Sequence, residues 1–206
     1  MNPYERYILP KMIEMACSSD TVANIRAEIV PQARGEVLEI GIGSGLNLAF
    51  YDSSQVTAIT GVDPAAQLQP QARLRADAID IPVEIIAVDV QGIHAETNRF
   101  DTIVMTFTLC SIKDAIPALT EMARVLKPNG KLLFCEHGLA PDAAVARWQH
   151  RLTPFWKPIA GGCHLDRDIP ALIQAGGFII EDLSAAYLSG PRLASYIYKG
   201  RARQAL

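Results

Sequence analysis

The sequence is organised around one stretch, Val37-Leu38-Glu39-Ile40-Gly41-Ile42-Gly43-Ser44-Gly45-Leu46-Asn47-Leu48. Its largely apolar beginning predicts a buried strand, its three glycines predict a tight turn, and the residues from Leu46 onward predict the opening of a helix. Glycine suits such a turn because it adopts positive φ freely and lets a ligand approach without a Cβ in the way. Strand, turn and helix in this order are typical of the first unit of a doubly wound α/β sheet, where a nucleotide-like ligand lies against the turn.

The spacing of the glycines separates two kinds of ligand. A dinucleotide-binding turn has the pattern G-x-G-x-x-G, whereas here the third glycine comes one residue early, at Gly45, and Leu46 stands where that pattern has glycine. The spacing therefore disfavours NAD(P). Glu39 puts a carboxylate at the end of the strand, beside Gly41 and Gly43. This acid favours a ligand that carries a cation over one that carries a pyrophosphate.

Length and composition predict one globular domain. The 206 residues are 50% hydrophobic and 20% charged, so the chain can bury a sizeable core and is too apolar to be disordered. We interpret residues 1–206 as a single domain in which residues 1–34 form N-terminal helices and residues 139–170 form an inserted helix and an aromatic loop. The formal net charge of −3 argues against nucleic acid as a partner. Monomer and homodimer are both left open.

The N-terminal segment predicts helices and no membrane anchor. Charged residues interrupt it, which disfavours a signal peptide or a membrane span and favours a cytoplasmic location. Bulky side chains recur at helical spacing over residues 4–16, although Pro10 should break or restart this helix. A second helix is predicted to follow and to stop before Pro31. Tyr4 and Tyr7 are candidates for a lid over the ligand.

The cysteines predict neither a metal site nor disulfides. They are widely separated and form no C-x-x-C pair or repeated Cys/His spacing. We therefore expect reduced, mostly buried thiols and no structural zinc. The four positions are Cys17, Cys110, Cys135 and Cys163.

Downstream of the glycine turn, strands and helices alternate. Strands are predicted over residues 36–40, 56–62, 83–88, 100–107 and 131–137, and helices over 45–51, 65–78 and 115–126. Such alternation indicates a parallel sheet with helices on both faces. The rest of the chain predicts an inserted helix over 141–152, an aromatic- and glycine-rich loop over 153–165, a short helix over 168–175, and closing strands over 178–187 and 193–199.

Two acids follow predicted strands at the edge where a ligand would bind. Asp63 lies 18 residues after Gly45, close to the roughly 20-residue offset at which an acid meets ribose hydroxyls. A carboxylate has only acceptor sites, so two vicinal hydroxyls can donate to it together. The pair Asp63-Pro64 also suits a helix start, because aspartate caps and proline fits the first turn. Asp89, after the third strand, is followed by Val90; it is the weaker signal, because acids after strands are common on protein surfaces.

Five segments together resemble the class I S-adenosylmethionine (SAM) methyltransferases, and more narrowly the methyltransferase type 11 (UbiE-like) group. The segments are E-x-G-x-G-x-G at 39–45, Asp63, Asp89, F-D at 100–101 and L-K-P-N-G at 126–130. The resemblance implies a Rossmann-like seven-stranded sheet of order 3-2-1-4-5-7-6, with helices on both faces and an N-terminal helical lid. It also implies SAM as methyl donor, S-adenosylhomocysteine as product and no metal.

The resemblance assigns the SAM-binding residues. It implies that Glu39 faces the SAM amino group or a water and that Asp63 holds the ribose. Asp89 and the backbone N–H of Val90 are expected to contact adenine, and the residues after the fourth strand to face the methionine part of SAM. The predicted cofactor-binding residues are Glu39, Gly41, Gly43, Gly45, Asp63, Pro64, Asp89, Val90, Thr106 and Leu109.

A narrower resemblance concerns the acceptor. F-Y-D at 50–52, L-C-S-I-K-D at 109–114, E-H-G at 136–138, and W-Q-x-x-L-x-P-x-W-K running into G-G-C-H-L look like the mammalian microsomal alkyl thiol methyltransferases and their bacterial relatives. This implies a small lipophilic thiol as acceptor. N-, O- or C-methylation of an amine, a phenol or quinone, or a lipid head group stays open. A SAM-binding module without turnover is a further alternative.

Few residues are predicted to take part in the chemistry itself. Methyl transfer from a sulfonium depends chiefly on the orientation of donor and acceptor, and a thiol is partly ionised near neutral pH. If a base is used, His137 at the end of the fifth strand is the first candidate and His164 the second. His137 could equally anchor the next loop. The predicted acceptor pocket consists of Tyr4, Tyr7, Cys110, Trp148, Phe155 and Trp156.

Overall fold

The computed structural model describes Tyr4 and residues 8–205, without the side chains of Lys11 and Ala16. In this part of the chain the strands are β1 (Gly35–Ile40), β2 (Val56–Val62), β3 (Val83–Ile86), β4 (Phe100–Thr106), β5 (Leu126–His137), β6 (Phe178–Tyr187) and β7 (Tyr196–Gln204). They form one sheet of order β3-β2-β1-β4-β5-β7-β6, in which β1 to β5 run parallel and β7 pairs antiparallel with β5 and β6. The predicted Rossmann-like fold and strand order are confirmed.

Helices cover both faces of the sheet. They are α1 (Leu9–Cys17), α2 (Asp20–Ile29), α3 (Gln69–Ala76), α4 (Ala115–Val125), α5 (Ala143–Ile159) and α6 (Ile169–Ala175). Successive residues of β1 enter two separate cores: Leu38 and Ile40 pack in the core that includes α4 and α6, whereas Val37 packs in the core that includes α2. Burial on both sides explains why the central strands are apolar runs and do not alternate in polarity.

The helix predicted directly after the glycine turn does not form. Residues 45–51 contain only a short 3-10 turn, Leu48–Phe50. Gly45 takes a φ of +82°, outside the helical region. Asn47 and Tyr51 donate side-chain hydrogen bonds to the carboxylate of Glu39, at 3.1 and 2.8 Å. These bonds to β1 hold the segment in a tight irregular path, so local helix propensity does not decide its structure.

The loop predicted over residues 153–165 begins seven residues too early. Helix α5 continues through Pro154 and Pro158 as far as Ile159. The helix is held by Gln149, fully buried, whose amide accepts from the Ala140 N–H and donates to two backbone carbonyls. The contacts of this buried face compensate for the two backbone N–H donors that Pro154 and Pro158 lack. The true loop is short and contains the positive-φ pair Gly161-Gly162.

Other element boundaries shift by a few residues. Helix α1 begins at Leu9, with Pro10 in its first turn, so the proline starts the helix and does not break it. Helix α3 begins later than predicted, at Gln69, and β7 ends later, at Gln204. The predicted turn at 126–130 is an irregularity within β5, where the register against β4 shifts. Among the described residues, none of the helices has the length and apolar character needed to cross a membrane.

Candidate active site

A cavity of about 690 Å³ lies over the carboxyl ends of the central parallel strands. Its walls come from the glycine turn after β1, the segments after β2, β3 and β4, and the inner side of α1. This is the switch point of the sheet, where open α/β folds bind ligands. The predicted cofactor residues that line the cavity are Glu39, Gly41, Gly43, Asp63, Pro64, Asp89, Val90 and Thr106.

The three glycines of the turn have different surroundings. Their φ angles are +71° at Gly41, +54° at Gly43 and +82° at Gly45. A Cβ on Gly41 would lie 2.2 Å from Oγ1 of Thr108, whereas a Cβ on Gly43 would have no atom nearer than 3.9 Å. Gly45 packs against Ala72 of α3 and does not line the cavity. Gly41 and Gly45 are therefore needed for packing, and Gly43 leaves space for a ligand.

Asp63 is held in a fixed orientation at the end of β2. Its Oδ2 accepts a hydrogen bond from the Gly43 N–H at 3.0 Å, and its Oδ1 accepts from the Ala65 N–H at 2.7 Å. Burial raises the pKa of this carboxyl. Each carboxylate oxygen keeps a further acceptor site. The group is therefore a preorganised acceptor for hydroxyl donors inside the cavity.

Glu39 lies in the cavity wall but is 1% exposed. Both of its oxygens accept hydrogen bonds, from Asn47 and Tyr51, and Arg26 donates from Nε to the Asn47 side-chain oxygen at 2.9 Å. Burial raises the pKa of Glu39 to about 7. The Glu39 side chain thus holds the segment after the glycine turn in place through its hydrogen bonds with Asn47 and Tyr51. Arg26, itself buried, was missed in the sequence because nothing local distinguishes it from other helical arginines.

The segment after β3 contributes Asp89 and Val90. The Asp89 side chain accepts from the Gly92 N–H at 3.0 Å and so caps a 3-10 turn, Val90–Gly92. Both residues also line the cavity. Capping and ligand contact are therefore compatible at this position. Leu109, predicted to contact the cofactor, is fully buried in the core and does not line the cavity.

Helix α1 closes one side of the cavity. Glu14 forms an ion pair with Arg75 of α3 at 2.8 Å, and Arg75 also donates to the Ser44 carbonyl in the glycine turn. This ties α1 to the turn. Tyr4 donates from its hydroxyl to the Ile159 carbonyl at 2.6 Å and does not line the cavity. Tyr7 lies outside the described residues.

The two histidines predicted as bases do not line the cavity. His137 is 6% exposed; its Nδ1 lies 3.9 Å from Sγ of Cys163, and its Nε2 has no hydrogen-bond partner among the described residues. His164 lies near Asp166, with 3.8 Å between Nδ1 and Oδ1, and burial lowers its pKa. The two side chains are therefore separated from the space that a ligand would fill.

Those predicted acceptor-pocket residues that the structure describes are also outside the cavity wall. On α5, Trp148 is 55% exposed, Phe155 73% and Trp156 37%. The helix continues through this region; Trp148 and Phe155 point outward, whereas Trp156 lies beside Cys163. Cys110 is buried, and a hydrogen bond with Cys163 raises its pKa well above the usual value and lowers that of Cys163.

A second buried acid, Glu136, was not predicted. It is fully buried on β5 and accepts from the Thr108 N–H at 2.9 Å and the Cys110 N–H at 3.4 Å. Burial raises its pKa to about 7. The acid fixes the segment after β4, where Phe107 has a φ of +54°. The only sequence signal was its place in the quoted segment E-H-G.

Residues 38–134, slightly under half of the chain, match the model of a protein family described as a methyltransferase domain. The matched segment contains the second half of β1, the glycine turn, β2 to β4, and most of β5. Over these residues the chain is therefore similar to a methyltransferase domain. The resemblance stated from the sequence is confirmed at this level.

Individual relatives differ in the acceptor that their names state. Rat thiol S-methyltransferase TMT1B is 35% identical over 64% of this chain and 55% of its own length. The phosphatidylethanolamine N-methyltransferase of Cereibacter sphaeroides is 30% identical over 64% of each. The chain thus spans about half to two thirds of these curated relatives. A solved SAM-dependent methyltransferase from Leishmania major shares the fold, with a TM-score of 0.71 and 14% identity over 97% of this chain and 80% of that one.

Proposed function

We propose that this protein transfers the methyl group of SAM to a small lipophilic acceptor, with a thiol sulfur favoured. The observation that carries the proposal is the cavity at the switch point, where a positive-φ glycine turn and the fixed carboxylate of Asp63 meet. The similarity to a thiol S-methyltransferase supports sulfur as the accepting atom.

The cavity residues fit SAM. Gly43 has room where a side chain would stand, and Asp63 presents acceptor sites suited to ribose hydroxyls. Asp89 and Val90, at the cavity edge, suit adenine. When bound, SAM would supply a methyl group activated by the positive charge on its sulfur.

The chain's own contribution is orientation and exclusion of water. Helix α1 covers the cavity through Leu9 and Ile13, and the Glu14–Arg75 ion pair holds it there. No histidine lies in the cavity wall formed by the described residues. A thiol with a pKa near 8.5, as in a cysteine side chain, or somewhat above is partly ionised near neutral pH without a base. We therefore assign neither His137 nor His164 a proton-transfer step.

The test is turnover with methyl-labelled SAM and a matched panel of alkyl thiols, amines and phenols. We expect S-adenosylhomocysteine and labelled thioether, formed fastest from apolar thiols and faster as pH rises towards the thiol pKa. Labelled product from amines alone would contradict the thiol acceptor. SAM binding without S-adenosylhomocysteine from any compound would favour a module without turnover.

A second candidate is N-methylation of an amine in a lipid head group. It is favoured by the similarity to the phosphatidylethanolamine N-methyltransferase, which covers as much of this chain as the thiol enzyme does. Adding phosphatidylethanolamine in mixed micelles to the same panel separates the two. Methylated lipid, with thiols unchanged, would replace the thiol proposal.

A further inference from the structure

Two cysteines and a histidine meet beside the cavity, although they come from three separate segments. Cys110 follows β4, His137 ends β5, and Cys163 lies in the loop after α5. One ligand atom from each, the two Sγ atoms and a ring nitrogen, all lie within 4.8 Å of one another. The cluster is independent of the proposed SAM contacts, because none of its three members lines the cavity.

The three groups are the types that bind a thiophilic cation. Two thiolates and one imidazole form a ligand set for Zn²⁺, and a zinc ion with three protein ligands keeps its fourth position open. In a tetrahedral zinc site such ligand atoms are separated by roughly 3.5 to 3.8 Å, given Zn–S near 2.3 Å and Zn–N near 2.0 Å. Side-chain rotations that move the ligand atoms by about an ångström therefore bring the cluster into that geometry.

The surroundings support a ligand at this place. Cys110 and His137 are each less than one tenth exposed, yet Nε2 of His137 has no partner among the described residues, and Nδ1 has only a sulfur at 3.9 Å. Buried imidazoles normally have partners for their ring nitrogens. A metal ion, with water at its open position, would supply the partners for the ring nitrogens of His137 that the described residues do not provide.

The backbone around the cluster is fixed. The His164 N–H donates to the Cys110 carbonyl at 2.8 Å, which joins the two cysteine-bearing segments directly. Arg167 donates to the carbonyls of Leu109 and Ile112, on either side of Cys110. The ligands therefore lie on segments that are held together without a metal, as a preformed site requires.

We propose that Cys110, His137 and Cys163 bind one Zn²⁺ ion, with a fourth position open to water. The sequence predicts no metal because its cysteines lack metal-ligand spacing, whereas the fold brings two of them together with a histidine. The alternatives to a zinc site are three reduced, metal-free side chains or a Cys110–Cys163 disulfide.

The first experiment measures metal content and affinity of the full chain, purified under reducing conditions without a metal-affinity tag. We expect saturable binding of one equivalent of Zn²⁺ below micromolar concentration, with proton release. Co²⁺ in place of Zn²⁺ should give the visible bands of a tetrahedral site and a sulfur-to-cobalt charge-transfer band. Absence of the charge-transfer band, or zinc binding only above the micromolar range, would overturn the proposal.

The second experiment assigns the ligands. Cys110→Ser and Cys163→Ser should each weaken zinc binding by about 100-fold or more, since even partners outside the ligand set change affinity about 10- to 100-fold. Cys17→Ser and Cys135→Ala are the matched controls and should bind as the unmodified chain does. Equal affinity in all four variants would refute the assignment.

A third measurement keeps the proposal testable if a variant does not fold. Alkylation of the unmodified chain, read by mass spectrometry, should show Cys163 protected by Zn²⁺, with Cys17, which is also partly exposed, modified equally in both conditions. Cys163 is the informative position because burial alone shields Cys110. Equal modification of Cys163 with and without zinc, or a disulfide between Cys110 and Cys163 in the reduced preparation, would rule the site out.

Discussion

At the scale of single residues, the cavity depends on acids whose surroundings set their charge. Glu39 is enclosed by Asn47, Tyr51 and Arg26, and burial moves its pKa to about 7 from an ordinary 4.5. The folded chain thus binds the proton more tightly than the unfolded chain does between these values. Stability from Glu39 is full below its ordinary pKa and is lost as pH rises towards 7.

Replacing Glu39 with glutamine removes this pH dependence. The unfolding free energy of Glu39→Gln, relative to the unmodified chain, should rise between about pH 5 and about pH 8, by at most about 3 kcal/mol, because one pKa unit corresponds to about 1.4 kcal/mol. Denaturant unfolding without ligand at both pH values measures it. Glu84→Gln, an exposed carboxylate on β3, controls for the loss of one charge. A difference that is constant with pH would show that Glu39 titrates ordinarily.

Asp63 is expected to contribute to the affinity for SAM. Asp63→Ala should weaken SAM binding by about 1.5 to 3 kcal/mol, because hydrogen bonds to a charged acceptor are lost. Calorimetry on the folded variant measures the affinity. Asp80→Ala removes an exposed aspartate outside the cavity and should bind SAM normally. Unchanged affinity in Asp63→Ala would leave this carboxylate only its bonds to Gly43 and Ala65.

At the scale of elements, the glycines of the turn have two different roles: Gly41 allows close packing, and Gly43 leaves space for a ligand. Gly41→Ala places a Cβ against Thr108, whereas Gly43→Ala meets no close atom and has only the strain of its positive φ. We expect Gly41→Ala to lose about 2 kcal/mol or more of stability beyond the loss in Gly43→Ala. Gly43→Ala should instead weaken SAM binding. Urea unfolding and calorimetry on both variants test this; equal stability losses would contradict the packing role.

Helix α1 should act as a gate whose closure is partly electrostatic. Arg75→Met keeps the apolar stem but removes the ion pair with Glu14. SAM should dissociate about two- to fivefold faster from this variant at low salt, since exposed pairs contribute little, and high salt should reduce the difference. Stopped-flow dissociation measures it, with Arg73→Met, exposed on the same helix, as control. An unchanged rate at low salt would exclude the gate.

The elements also show what the sequence could predict and what it could not. Strand Val56–Val62 was predicted with its observed bounds, because a strand buried on both faces carries an apolar run. The helix expected after the glycine turn failed because Asn47 and Tyr51 bond to Glu39 on β1, a contact that no local pattern reveals. The site followed the same rule: residues at strand ends were predictable, whereas Arg26 and the Glu14–Arg75 pair depend on chain packing.

At the scale of the whole molecule, the parallel strands bring their ends together, so that one ligand in the cavity would contact the segments after β1, β2, β3 and β4. Such a ligand stabilises the entire fold. S-adenosylhomocysteine at about 100 times its Kd should raise the unfolding free energy by about 2.7 kcal/mol and Tm by about 5 to 10 °C for a chain of this size. NAD(P)H is the control and should leave Tm unchanged. A shift with NAD(P)H alone would overturn the donor assignment.

Helix α5 has a practical consequence for such measurements. The two tryptophans of the sequence, Trp148 and Trp156, both belong to this helix and both are substantially exposed. The tryptophan fluorescence of the protein is therefore emitted from a single surface helix, because the sheet beneath it contains no tryptophan. The emission wavelength and the quenching of the two tryptophans will therefore report the hydration of α5 without any label. A ligand that draws this helix towards the cavity will shift the emission to shorter wavelength.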